Sequence, residues 1–180
     1  MNPPEWPGPG ARIHDTDPFA TPEERRSPVR RLRGRLPAAV TLWTAADPDG
    51  GPAGLTVSST LIADGEPGRV LGLLDPESEL FEAAEAAGRF AVAPLGPAHR
   101  QLADRFAGLM PAPGGLFAGG GWRETPHGPV PEPPHPWAGC RLVDTRPAGW
   151  SVLVEGEVVE VELADAEPLV HYRGRYRTVD

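Results

Sequence analysis

Two turn-forming runs confine the most informative stretch of this chain. Asp47-Pro48-Asp49-Gly50-Gly51-Pro52 precedes Gly54-Leu55-Thr56-Val57-Ser58-Ser59-Thr60, and Asp64-Gly65-Glu66-Pro67-Gly68 follows it. Strand alternation sends Leu55 and Val57 to one face and Thr56 and Ser58 to the other. Four hydroxyls in five residues can meet water on the outside of a sheet. They can equally form a row of small donors and acceptors against a planar polar ligand or a phosphate. The pattern alone does not choose.

Breaks of this kind recur along the chain. Its 24 prolines and 22 glycines crowd into the N-terminal segment and into residues 111–136. Residues 1–22 are proline-rich and polar without periodicity and are expected to be extended or disordered, with Trp6 and Phe19 as possible packing points. The remainder, 23–180, reads as one domain, long enough for a real core. Thr21-Pro22-Glu23-Glu24 has the signature of a helix start, with Pro28 expected to disturb the helix and Gly34 and Pro37 to end it. Ala38 to Ala45 reads as a strand, turned by Asp-Pro-Asp-Gly-Gly into the hydroxyl-rich stretch to make a hairpin. Arg69 to Leu74 is apolar almost throughout and is expected to be central. Asp75-Pro76-Glu77-Ser78 opens a helix that Gly88 closes.

Phe90 to Leu95 is a further strand, and Pro97 to Phe106 a second helix on which Leu102, Arg105 and Phe106 share a face. Residues 108–137 form a long loop with Phe117 and Trp122 as its anchors. Gly139 to Thr145, Trp150 to Leu163 (with a bulge at Gly156), Leu169 to Tyr172 and Tyr176 to Val179 complete the strands. Strands before and after the helices indicate a mainly β antiparallel barrel decorated by a few helices, not a doubly wound parallel sheet.

Charge and composition narrow the function. The formal charge is −8, which argues against a nucleic-acid partner despite an arginine cluster from Arg25 to Arg35. All 17 basic residues are arginine, as in GC-rich coding. No apolar run approaches the ~20 residues that cross a bilayer, so no membrane role is expected. The N-terminus has neither a basic start nor an apolar core, so the chain reads as cytoplasmic. The single cysteine, Cys140, excludes an intrachain disulfide and a cysteine-based zinc site. It lies inside an expected strand and reads as a small buried hydrophobe.

The five histidines show no metal-ligand spacing, so no metal site is expected. Ser58 and Ser59 lack the Gly-x-Ser-x-Gly elbow of hydrolases. There is no Walker loop and no dinucleotide fingerprint. Two places could receive an anion. One is the helix start at Asp75–Ser78, where simple capping explains the same residues; the other is the arginine pair Arg100 and Arg105.

Taken in order, the segments resemble the flavin reductase-like, FMN-binding split-barrel family. Pro37-Ala38-Ala39-Val40-Thr41 leads to Gly54-Leu55-Thr56-Val57-Ser58-Ser59, similar to the family's Gly-hydrophobic-Thr-x-Ser-Ser segment. Val70-Leu71-Gly72-Leu73 with Ser78, Gly88-Arg89-Phe90-Ala91-Val92 with Leu95, and Leu102 to Gly108 ahead of Phe117-Ala118-Gly119 and Trp122 follow in sequence. Pro168 to Tyr176 is similar to the family's ending.

The resemblance implies a six-stranded antiparallel Greek-key split barrel, a homodimer with FMN (or FAD) near the subunit interface, and NAD(P)H as co-substrate. It implies that reduced flavin passes to a partner monooxygenase. Carried over by position, Gly54, Leu55, Thr56, Val57, Ser58 and Ser59 would meet the flavin. Asp75 and Ser78 would lie near its phosphate end with Arg105, and Phe106 would also belong to the cofactor-binding set. One departure stands out. Where reductases of the family carry Gly-Asp-His, this chain reads Ala148-Gly149-Trp150-Ser151. Trp150 replaces a nicotinamide-side histidine with a flat ring that could stack on flavin or nicotinamide, or fill the pocket and exclude nicotinamide. Ala93 likewise stands where the family commonly has Asn. These departures leave open a barrel that binds flavin, haem or another small ligand without turnover, or one recruited to a different reaction.

Overall fold

A computed structural model of the chain describes residues 27–179. The proline-rich segment 1–22 and the helix start at Thr21 lie outside the described residues. Ser27 caps α1 (Pro28–Arg33) by accepting from the Arg30 amide, and Gly34 closes it. Pro28 therefore begins this helix instead of disturbing it: at the first helical position its missing N–H costs nothing.

The strand expected over Ala38–Ala45 divides at Val40 into β1 (Ala38–Ala39) and β2 (Thr41–Asp47). β2 pairs with β3 (Gly51–Val57) through the expected hairpin, with Thr41 opposite Val57 and Asp47 opposite Gly51. Ser58, Ser59 and Thr60 then leave the strand, and the chain re-enters the sheet as β4 (Leu61–Ala63), which the sequence reading did not anticipate. β5 (Arg69–Leu74) follows, then α2 (Glu79–Ala87), capped by the Ser78 hydroxyl and ended by Gly88 in the left-handed conformation.

β6 (Arg89–Pro94), a 3-10 turn at Pro97–His99 and α3 (Arg100–Phe106) come next. The long loop contains two short paired strands, β7 (Trp122–Arg123) and β8 (Val130–Pro131). β9 (Trp137–Ala148) and β10 (Ser151–Glu162) form the longest hairpin, and β11 (Leu169–Tyr172) with β12 (Arg175–Thr178) the last.

The main sheet runs β3-β2-β6-β9-β10-β5-β4, every neighbour antiparallel. Six of its strands are segments read as strands from the sequence; β4 is the addition. β1, β11 and β12 form a smaller sheet. β5 is not central. It is next to the edge, and its apolar character divides between a buried face (Val70, Leu74) and a face on which Leu73 is exposed.

The chain between β3 and β5 closes the barrel. β3 and β4 stand at opposite ends of the strand order, yet only Ser58–Thr60 separates them in sequence. The β4–β5 register places Leu61 opposite Leu71, so a ladder continued by two pairs would set Ser59 opposite Leu73. Ser59 occupies that place with its side chain: its hydroxyl donates to the Leu73 carbonyl and accepts from the Leu73 amide, both at 3.0 Å.

The core beneath this seam is aromatic and tightly matched to glycine. Trp43 and Phe90 stack with centroids 4.7 Å apart and planes 6° apart. A Cβ on Gly72 would fall 2.5 Å from the Trp43 ring, and one on Gly156 would fall 2.5 Å from the Phe90 ring. Gly156 also sits at the bulge expected from the sequence, where the β9–β10 register shifts.

Candidate functional site

The hydroxyl row is neither a wet face nor a uniform ligand surface. The Thr56 hydroxyl donates to the Ala103 carbonyl at 2.6 Å and so ties β3 to α3. Thr60 Oγ1 lies 2.7 Å from Thr41 Oγ1 and accepts from the Trp43 indole N–H at 2.9 Å. Ser59 is committed to Leu73. Ser58, half-buried, has no hydrogen-bond partner among the described residues. Backbone alternation turns it away from Val57, which is buried in the core with Leu55 packed beside it.

Gly54 serves a packing role. A Cβ there would meet Phe106 at 2.6 Å and Phe117 at 3.2 Å, so the glycine lets α3 and the loop close onto β3. Phe106, Phe117 and Trp122 meet edge to face with centroids 4.9 to 5.6 Å apart, which bears out Phe117 and Trp122 as the loop's anchors. Arg105 donates weakly to the Leu116 and Ala118 carbonyls at 3.5 and 3.4 Å and lines a cavity of about 240 Å³ with Pro111, Ala112 and Gly119. α3 runs with Ala103 beside Thr56 and Phe106 beside Gly54. Arg105 and Phe106 thus belong to the Gly54 end of β3, while Asp75 and Ser78 follow β5 at the Ser59 end.

At that second end, the Ser78 hydroxyl donates to the Asp75 carbonyl at 2.7 Å and accepts from the Phe81 amide. Asp75 accepts from the Glu77 amide at 2.9 Å. The turn is internally satisfied, and Glu79 and Glu82 place further negative charge in the first turn of α2. Val152 pairs with Leu74, so the β9–β10 hairpin tip, Gly149-Trp150, projects past β5 at the same end of the barrel as Asp75 and Ser59. Trp150 is 100% exposed. Leu61 (68% exposed) and Leu73 share one outer face of β4 and β5, while Ile62 (67%) is exposed on the opposite face of β4.

The paired histidines and the cysteine lie elsewhere. His99 and His135 pack edge to face at 4.9 Å. Burial lowers the pKa of both; for His135 the neighbouring His99 lowers it further, while a hydrogen bond to the Pro94 backbone opposes the shift. Cys140 is fully buried, and burial pushes its thiol up to about 12, as befits a small hydrophobe. Among the described residues, no three His, Cys, Asp or Glu side chains converge to hold a metal. No helix among them is long and apolar enough to cross a membrane.

Sequence reading missed Thr41 and Trp43. A signal existed for the second, because a buried indole N–H requires an acceptor. Which acceptor it takes depends on the path between β3 and β4, which no local pattern specifies.

The family described as Flavin reductase like domain matches residues 33–180, and the chain belongs to this family. It is 32% identical over 152 residues to the reductase component of a 4-nitrophenol 4-monooxygenase/4-nitrocatechol 2-monooxygenase from Rhodococcus opacus, covering 84% of this chain and 80% of that one. It is 33% identical over 176 residues to the NADH-dependent FMN reductase AsuE2 of Streptomyces nodosus subsp. asukaensis, covering 92% and 90%. Two relatives from Rhizobium meliloti are longer, and the chain spans 64% and 48% of their length. Among solved structures, a nitrilotriacetate monooxygenase component B homolog from Mycobacterium thermoresistibile superposes with a TM-score of 0.75 at 28% identity, covering 84% of this chain and 85% of that one.

Proposed function

We propose that the protein is an FMN-binding NAD(P)H:flavin oxidoreductase, acting as a cytoplasmic homodimer and supplying reduced flavin to a partner monooxygenase. The relatives' activities support this reading. The observation that carries it in this chain is Ser58, a half-buried hydroxyl without an internal partner at the barrel seam, in a segment whose other hydroxyls are engaged. A planar ligand with a polar edge fits such a place: it needs few directed hydrogen bonds and apolar cover.

In this reading the Ser58 hydroxyl, with the backbone of Val57 and Ser59 on either side, offers the polar edge. Gly54, Leu55 and Thr56 shape the strand behind it, and Phe106 buttresses that strand. Asp75 and Ser78 form the turn beside the edge, and Arg105 holds the loop that flanks the far end. A flavin held there would supply two-electron redox chemistry. The chain's own contribution is placement of two rings, which needs no acid–base dyad. Trp150, beside the seam and fully exposed, is the catalytic-side residue, providing a flat face for a ring. The exposed apolar face of Leu61 and Leu73 at the same end suits a second copy of the chain, which would cover both it and Trp150.

The test is an absorbance spectrum of freshly purified protein, followed by NADH and NADPH oxidation with added FMN. Flavin uptake and FMN-stimulated oxidation are expected; a protein that shows neither would be no reductase.

A second reading, a flavin-binding barrel without nicotinamide turnover, is favoured by one feature, the indole at position 150 in place of an imidazole. Robust oxidation by the unaltered protein refutes it; a gain of oxidation only in Trp150→His supports it.

A further inference from the structure

The seam is held by a buried hydrogen-bonded set that no ligand need touch. Thr41 Oγ1 donates to the Val57 carbonyl at 2.7 Å, at the last pair of the β2–β3 ladder. The same oxygen lies 2.7 Å from Thr60 Oγ1 and accepts from Trp43 Nε1 at 3.2 Å. Trp43 Nε1 also reaches Thr60 Oγ1 at 2.9 Å. Trp43 cannot drift, being fully buried, stacked on Phe90 and pressed against Gly72. One threonine and one indole thus hold both ends of Val57-Ser58-Ser59-Thr60, and Ser59 pins its middle to Leu73.

We propose that Thr41 and Trp43 are positioning residues for the flavin edge, fixing the Val57–Thr60 crossing so that Ser58 is the one hydroxyl of the row presented to the ligand. The inference rests on the flavin reading of the site. Its physical basis is that a short segment outside any strand has no ladder to define its shape. Side-chain hydrogen bonds must do so, and in a buried setting a fully satisfied set is rigid. Small displacements of a binding edge cost affinity steeply, so groups behind the edge control it without contact.

The experiment compares Thr41→Val, Thr41→Ser, Trp43→Phe and Ser58→Ala with the unaltered protein, in two measurements. The first, without flavin, is amide hydrogen exchange across residues 57–60. The second is FMN titration followed by quenching of flavin fluorescence. Thr41→Val keeps the shape and removes the hydroxyl; Thr41→Ser keeps the hydroxyl; Trp43→Phe removes the N–H and keeps an aromatic ring.

Thr41→Val and Trp43→Phe are expected to speed exchange in 57–60 and to weaken FMN binding about tenfold. Thr41→Ser should restore both to within about twofold. Ser58→Ala should weaken FMN by a similar factor while leaving exchange unchanged. Unchanged exchange in Thr41→Val overturns the clamp. Faster exchange with unaltered FMN affinity overturns its role at the site, since a merely structural set would behave that way. An unaltered protein that takes up no FMN sinks the flavin reading and the site role with it; the exchange comparison, which uses no flavin, tells that failure apart from failure of the clamp.

Discussion

One hydroxyl, that of Ser59, makes both hydrogen bonds that a strand residue opposite Leu73 would make with its backbone. It substitutes for a ladder pair at the point where the chain crosses from β3 to β4. Ser59→Ala leaves the Leu73 amide and carbonyl without that partner. A loss of about 1–2 kcal/mol of stability is expected from two hydrogen bonds near the surface, read from urea unfolding. Unchanged stability would show that the crossing holds without Ser59.

Gly72 and Trp43 are matched in volume. Gly72→Ala would push a methyl group to 2.5 Å from a ring that Phe90 already backs. Overpacking of this kind costs about 1–3 kcal/mol. The expected outcome is a lower denaturant midpoint with altered near-ultraviolet dichroism from the indole; a native-like dichroism band would mean that the ring has room to move.

Acid should weaken the fold. His99, His135 and His171 all have pKa values lowered from 6.5 in the folded chain, chiefly by burial. Below 6.5 the unfolded chain takes up protons that the folded chain refuses, so stability is full above that pH and declines as pH falls towards the folded values. Melting temperatures between pH 8 and pH 5 should drop, and the drop should be smaller in His135→Gln. A flat profile would contradict the burial of these rings.

Trp150 separates function from stability. Fully exposed at a hairpin tip, it contributes nothing to the core, so Trp150→Ala should unfold within about 0.5 kcal/mol of the unaltered protein. If its ring faces the nicotinamide, the same change should lower kcat/KM for NADH about tenfold with FMN affinity little altered. Equal kcat/KM would remove Trp150 from the site.

Much of the architecture was legible because local chemistry agreed with the final structure. The Asp47–Gly51 turn, the Ser78 and Gly88 caps of α2 and the Gly156 bulge each carry their own signal. What escaped was non-local. β4 is only three residues long and pairs across the barrel, so no periodicity announces it. The order Thr-x-Ser-Ser-Thr located the seam, yet the division of labour among its hydroxyls depends on Ala103, Thr41, Trp43 and Leu73, which come from three other elements of the chain. The position of β5 was misread because an apolar run suggests burial on both faces, whereas one face here leaves Leu73 exposed.

The chain's lone thiol has a bearing on its working life. An enzyme that hands reduced flavin to others works beside hydrogen peroxide, formed whenever that flavin meets oxygen first. Peroxide attacks thiolates that it can reach. Cys140 is sealed between β6 and β10, and its pKa of about 12 keeps it protonated at neutral pH. The protein thereby offers its own by-product no sulfhydryl to oxidise.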